Sequence, residues 1–312
     1  MSNSEWNEFA GGKRYNTLDG FLKKKFGCKV AKISLNAGFT CPNRDGTKGY
    51  GGCIYCSDKL SGEFAGKPSD SIESQMEYGK AMMSKKWKKL KYMPYFQAGT
   101  NTYAPTEKLR TLFEQALDCE DVVGLSIATR PDCISDSTYA YLEELAGRTF
   151  LTVELGLQSV FDCTGDIINR CTSYKEFLDC FTRLKNSGIY VCVHLINGLP
   201  GETKDMMLES VQTVSLLKPW SVKLHLLHVI KGTVCEKMFS AGEFDVMEKD
   251  EYVNLVCDEL ERIDKSVVIQ RLTGDGARDT LVAPLWSLKK FEVLNAIDKE
   301  LEKRDSFQGK YV

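Results

Sequence analysis

The chain has 312 residues, which at about 150 per domain suggests two domains or one large α/β barrel with an extension. With 43% hydrophobic and 27% charged residues, and 41 Lys+Arg against 43 Asp+Glu for a net charge of −2, its composition is that of an ordinary globular protein. Disorder, collagen and wholesale polycation are excluded. No apolar run approaches the 18 residues of a membrane span, and the start, Met-Ser-Asn-Ser-Glu-Trp, lacks a secretory signal, so the cytoplasm is the expected location. Twelve cysteines in a reducing compartment point to metal binding or catalysis before disulfides.

Six strand-like runs are predicted in chain order: Lys29 to Leu35, Met93 to Ala98, Val122 to Ala128, Phe150 to Leu157, Tyr190 to Ile196 and Ser221 to His228. Helix-length segments separate them, which is the rhythm of β-α units around a parallel sheet. After the fourth strand, Ser173 and Glu176 form a capping box and Gly188 follows the last turn. The helix from Thr203 stops before Pro219. Beyond about Ala241 the rhythm ends. A helix near Asp250 to Ile263, a short strand Val267 to Gln270, a Gly-rich loop Thr273 to Ala277 and a last helix Ser287 to Lys303 remain. The expected fold is α/β, a partial (β/α)6 TIM-like barrel over residues 1–240, with a C-terminal, mostly helical extension over 241–312 packed on it.

Strand phase adds a second layer. Leu151, Val153, Leu155 and Leu157 share one face of strand four, and Thr152, Glu154, Gly156 and Gln158 the other. Strands five and six repeat the split, with Cys192 and His194, then Lys223 and His225, on the polar face. In a barrel wrapped by helices the aliphatic faces pack outward, leaving a lumen lined by Gln97, Ser126, Glu154, His194, Lys223 and His225. A packed barrel core would carry branched apolar residues there; this lumen suits a polar ligand. A half-solvated antiparallel sheet also alternates, but the helix-length crossovers oppose it.

Between the first strand and the first long helix lies Cys41-Pro-Asn-Arg-Asp-Gly-Thr-Lys-Gly-Tyr-Gly-Gly-Cys53-Ile-Tyr-Cys56, a C-x11-C-x2-C pattern. A C-x2-C pair clamps soft metals. Three thiolates on a [4Fe-4S] cluster leave one iron without a protein ligand, an open binding position. A structural zinc site needs a fourth ligand, which would have to come from a distant residue such as Cys28 or Cys133. Gly46, Gly49, Gly51 and Gly52 allow the loop to fold tightly and offer N–H groups to cluster sulfurs.

The cysteine pattern, Tyr55 and the six-strand series resemble radical S-adenosylmethionine (SAM) enzymes, whose usual spacing is C-x3-C-x2-C. The longer gap, with Phe96-Gln-Ala-Gly-Thr-Asn-Thr-Tyr103, Glu154-Leu-Gly-Leu-Gln-Ser159, Asn197-Gly-Leu-Pro-Gly201 and Val229-Ile-Lys-Gly-Thr233, resembles a bacterial subfamily related to the radical SAM core of the Elongator catalytic subunit. That subfamily includes enzymes that act on the wobble uridine of tRNA. The resemblance spans roughly residues 15 to 310 without the Elongator acetyltransferase domain, so acetyl transfer is not expected.

The resemblance implies a [4Fe-4S] cluster on Cys41, Cys53 and Cys56, with SAM chelating the open iron. Together with strand phase it points to Glu154 and Gln158 for the ribose hydroxyls of SAM, and to Gln97, Ser126 and Arg130 for its methionyl group. Lys223 and His225 become candidates for contacting substrate or handling a proton, His228 less so because it falls on the other phase. The remaining nine cysteines are expected to be small buried hydrophobes. The implied reaction converts a carboxymethylaminomethyl group on the wobble uridine to aminomethyl. Substrate and partner are then tRNA and an electron donor such as flavodoxin or ferredoxin, with no membrane. Two lysine-rich clusters, Lys85 to Lys91 around Trp87, and Lys13, Arg14 and Lys23 to Lys25, could meet RNA or simply be solvated. The segment Arg271 to Arg278 could cover the barrel mouth or be a turn. Other readings are a radical SAM enzyme acting on a protein or metabolite, and a non-catalytic, zinc-stabilised RNA-binding module.

Overall fold

Strand phase and helix-length connections together produce one curled sheet, in a computed structural model that describes residue 9 and residues 11–312. The strands β1 (Lys29–Leu35), β2 (Leu90–Phe96), β3 (Gly124–Thr129), β4 (Phe150–Gln158), β5 (Tyr190–Asn197) and β6 (Ser221–Leu226) pair in chain order, every neighbour parallel. A seventh strand, β8 (Val268–Arg271), joins β6, also in parallel. The short strand expected outside the barrel therefore extends its sheet. A separate antiparallel pair is formed by β7 (Val229–Ile230) and β9 (Leu281–Ala283).

Helices α1 (Leu18–Phe26), α2 (Ile72–Ser84), α3 (Thr106–Leu117), α4 (Asp136–Arg148), α5 (Asp162–Ile167), α6 (Tyr174–Asn186), α7 (Lys204–Leu216) and α8 (Val234–Ser240) lie between or beside the strands. The capping box at α6 forms as expected, with both the Ser173 and Glu176 hydrogen bonds made. The C-terminal part adds α9 (Lys249–Leu260) and α10 (Lys290–Lys303), which pack together. A 3-10 turn at Leu285–Leu288 takes up the first residues expected in the last helix.

Leu151, Val153, Leu155 and Leu157 of β4, Val191, Val193 and Leu195 of β5, and Val222, Leu224 and Leu226 of β6 are all buried in the main core, with helix residues such as Phe177 and Leu184. Each such side chain contributes about 1.5–3 kcal/mol by leaving water. The opposite face turns inward. Lys32 on β1 reaches both Glu154 on β4, at 2.5 Å, and Gln270 on β8, at 3.1 Å, which requires the sheet to curl until its first and last strands approach each other.

An aromatic cluster closes one end of the barrel. Phe150 and Tyr190 open β4 and β5, Trp220 precedes β6, and Phe21 and Phe26 come from α1. The cavity thus opens toward the C-terminal ends of the strands, where barrels of this type place their ligands. Among the described residues, no helix is long and apolar enough to cross a membrane.

Candidate active site

The eleven residues between Cys41 and Cys53 fold back on themselves. Gly52 N donates to Asn43 O at 2.8 Å, closing the base of the excursion, while Lys48 N and Gly49 N both donate to Pro42 O. Gly51 and Gly52 sit at φ +78 and +77, consecutive left-handed positions that glycine occupies without steric cost. A long gap in sequence is a short one in space. The buried Asn43 amide lies 3.8 Å from Cys53 Sγ and also donates to Asn169 O, and Arg44 donates to the carbonyls of Cys56 and Ser57 at 2.6 Å each.

Burial, and the nearness of the other thiols, raise the pKa of Cys53 and push that of Cys56 up to about 11, while Arg130 and Arg44 oppose the rise. A thiol held this way is stabilised as thiolate by binding a metal. Among the described residues, the group whose His, Cys or carboxylate ligand atoms all lie within 4.8 Å of one another is Glu154, Cys192 and His194. Cys41, Cys53 and Cys56 are free thiols that line one cavity, a set of soft sulfur donors of the kind that holds iron–sulfur clusters. At Glu154 itself, two lysines already occupy the carboxylate.

Glu154 is the hub of the lumen. Its side chain is fully buried; Oε1 accepts from Lys32 at 2.5 Å and from Ser126 Oγ at 2.8 Å, and Oε2 bonds Lys223 and lies 2.8 Å from His194 Nε2. Burial alone would raise its pKa, but Lys223 and Lys32 overcome that and hold it well below the usual carboxylate range. Burial pushes Lys223 down to about 8 despite Glu154, and His194 down to about 4. The Tyr95 ring centroid lies 4.7 Å from Lys32 Nζ and 4.6 Å from Lys223 Nζ, and its hydroxyl is 3.3 Å from Lys223 Nζ.

A cavity of about 810 Å³ joins these layers: Cys41, Cys53 and Cys56 line it together with Gln97, Arg130, Glu154, Gln158, His194, Lys223 and His225. Ser126 is fully buried beneath this wall, its hydroxyl spent on Glu154. Gln158 ends β4 at φ +66, beside a register shift, and Gly156 leaves room for it, since a Cβ there would lie 2.6 Å from Gln158 Nε2. Backbone held in that region costs about 1–3 kcal/mol and clusters at functional sites. Gln97 donates to Ser61 O at 2.8 Å. Arg130 grips Asp132 with two bonds and also donates to Arg170 O and Cys171 O, so the guanidinium ties β3 to the turn after α5.

Strand phase puts Tyr95 on the same face as Gln97, and Lys32 opposite the core residues Ala31 and Ile33, but their convergence on Glu154 appears only once β1 and β2 meet β4 across the lumen. His228 lines the cavity because β6 ends at Leu226, two residues before the expected end, and alternation no longer governs its direction. The end of β8 brings Arg271 into the wall, and the loop after it brings Gly274, Asp275 and Ala277, so the Gly-rich segment borders the cavity. Of the nine other cysteines only Cys180, Cys192, Cys235 and Cys257 are buried; Cys163 and Cys171 are exposed. The lysine clusters diverge in environment. Lys86 reaches the cavity wall and Lys29 stacks over Trp87 at 5.1 Å, whereas Lys13 and Lys23 are paired with Asp298 and Asp19.

Comparison with known proteins places the chain in a family. Residues 40–214 match the family profile described as the radical SAM superfamily, and residues 219–303 match the radical SAM C-terminal domain. The uncharacterized protein YtqA of Bacillus subtilis (strain 168) is 49% identical over 96% of this chain and 93% of its own length. The tRNA uridine(34) acetyltransferase of Methanocaldococcus infernus is 23% identical over 97% of this chain but only 62% of its own length. A solved structure of the archaeal Methanocaldococcus infernus Elp3 with an N-terminal deletion matches with a TM-score of 0.66 at 19% identity, over 89% of this chain and 64% of that one. At that identity the likeness speaks for the fold.

Proposed function

The chain belongs to the radical SAM superfamily, and from that premise we propose that it modifies tRNA, converting carboxymethylaminomethyl on the wobble uridine to aminomethyl. The family's cofactors are a [4Fe-4S] cluster and SAM, which when bound supply a 5′-deoxyadenosyl radical that takes a hydrogen atom from carbon. Cys41, Cys53 and Cys56 hold the cluster. Gln97, Arg130, Glu154 and Gln158 would face SAM from the cavity wall, and Ser126 would act from beneath it through its bond to Glu154.

The substrate hydrogen to be removed is on the carbon between amine nitrogen and carboxylate, where both neighbours delocalise an unpaired electron. Loss of one electron to a one-electron acceptor and of one proton leaves an imine. Water then adds, the carbon–nitrogen bond breaks, and the products are the aminomethyl uridine and glyoxylate. We assign the exchange of that proton to Lys223 Nζ, whose pKa burial lowers to about 8, and to His225 Nε2, which is buried without a hydrogen-bond partner.

One observation carries this reading. Although the chain has a net charge of −2, the cavity that holds the three thiols is walled by six basic side chains and three acidic ones. Such a wall attracts an anionic substrate, as RNA is. The kinship with a tRNA uridine(34) enzyme supports the wobble position. We place the reaction in the cytoplasm, with flavodoxin or ferredoxin as reductant. Nucleoside mass spectrometry of tRNA from a deletion strain tests it. Accumulated carboxymethylaminomethyl uridine supports the proposal, and an unchanged wobble nucleoside profile overturns it.

A further inference from the structure

One stretch of the cavity wall carries charges that the steps above leave unused, beside the His225 they employ. Arg271 ends β8 and Lys290 begins α10, and both line the cavity. Both are held by a single carboxylate, that of Asp275: Arg271 Nη2 lies 3.0 Å from Oδ2, and Lys290 Nζ lies 2.7 Å from Oδ1 and 2.9 Å from Oδ2. Asp275 sits between Gly274 and Gly276 in a loop bordering the opening. Two cations thus share one anion.

Two imidazoles complete the wall. His225 Nε2 and His228 Nε2 are buried and have no hydrogen-bond partner, a condition that costs free energy unless a ligand or water satisfies it. Burial, followed for His225 by the neighbouring His194 and Arg271 charges, keeps its imidazole neutral; burial takes His228 down to about 4 although Asp275 opposes it. A neutral imidazole offers one donor and one acceptor. The α10 N-terminus has no side-chain cap, so its dipole adds positive potential beside Lys290.

We propose that Arg271 and Lys290, with His225 and His228 beside them, form a carboxylate-recognising subsite, and that Asp275 is an internal stand-in which the substrate carboxylate displaces. This rests on the reading above, in which the group to be removed ends in a carboxylate that unmodified uridine lacks. Arg271 matches a carboxylate through two parallel N–H groups, and Lys290 adds a point charge. Displacement exchanges one carboxylate for another, so the cations are never left uncompensated. The glycines on either side of Asp275 let its backbone swing without steric conflict.

The test is competition binding by fluorescence anisotropy, with anticodon stem-loop RNAs carrying at the wobble position carboxymethylaminomethyl uridine, its neutral carboxamide isostere, or unmodified uridine. The wild-type protein is expected to prefer the carboxylate over the carboxamide by roughly 10- to 100-fold, the size of a charge-assisted hydrogen bond. Arg271→Gln and Lys290→Gln should each bring that ratio toward one, whatever affinity for all three RNAs they cost together, and Arg271→Lys should restore part of it. Asp275→Asn should tighten the carboxylate-bearing RNA specifically. A wild-type ratio near one, or a ratio unchanged in both Gln variants, overturns the subsite. Conversion of the carboxylate-bearing RNA by the wild-type enzyme is scored separately: its absence defeats the proposed reaction, whereas the ratio decides the subsite alone.

Discussion

Replacing Glu154 with Gln is the sharpest stability test of the lumen. Glu154 has no exposed side-chain surface, Lys223 is 7% exposed and Lys32 18% exposed, so removing one charge leaves two ammoniums with little water to compensate. Breaking a buried pair of this kind costs about 3–5 kcal/mol, which for a chain of this size lowers Tm by about 5–8 °C. The pH dependence follows from Lys223. Its folded pKa near 8 lies below the ordinary lysine value of 10.5, so between those values the unfolded chain binds more protons and stability rises with pH. Without Glu154 the Lys223 pKa falls further, and the variant's deficit shrinks from pH 7 to pH 9 as Lys223 sheds its charge. Urea unfolding of both proteins at the two pH values measures this. A variant within about 1 kcal/mol of wild type at pH 7, the range of an exposed ion pair, or a deficit that grows with pH, refutes the assignment of Glu154 as the counterion.

Glu259→Gln should act in the opposite sense, because burial raises the Glu259 pKa to about 8 against the ordinary 4.5. Stability held by the protonated acid is full below pH 4.5 and lost as pH rises through 8, so the variant should flatten that decline in urea titrations between pH 5 and pH 8.5. Gly99→Ala places a Cβ 2.3 Å from Phe39 O at φ +78, and a loss of about 2–4 kcal/mol in chemical denaturation is expected. In Gly156→Ala the new methyl meets only the end of the Gln158 side chain, at 2.6 Å, so Tm should move little while SAM cleavage slows as Gln158 is displaced. Arg170→Lys cannot reproduce the guanidinium's bonds to Leu157 O, Ser159 O, Thr172 O and Asp162, and unfolding measurements should show a cost of about 2–4 kcal/mol.

Local pattern was enough for the architecture. The two-residue alternation of β4, β5 and β6 separated core from lumen correctly, and Ser173 with Glu176 located the start of α6, because each signal is carried within a few residues. What escaped depends on contacts between distant parts of the chain. Lys32 meets Glu154 across 122 positions, and nothing near either residue announces the other. The C-x11-C gap reads as a departure until Gly52 N and Asn43 O are seen to close it. β8 has four residues and β7 two, too short for a period to register, so the seventh strand of the sheet was recognised as a strand but not as part of the barrel. His228 falls on the outward phase only if its strand runs on to residue 228, and β6 stops at Leu226.

The most direct test of the account is anaerobic incubation of the iron-reconstituted protein with SAM, a reductant and tRNA carrying carboxymethylaminomethyl uridine, followed by nucleoside analysis. The account predicts aminomethyl uridine and glyoxylate in step with 5′-deoxyadenosine, all three abolished when Cys41, Cys53 or Cys56 is replaced by Ala. Deoxyadenosine formed with the tRNA unchanged would contradict the proposed substrate, and deoxyadenosine formation that survives loss of one of these cysteines would contradict the site itself.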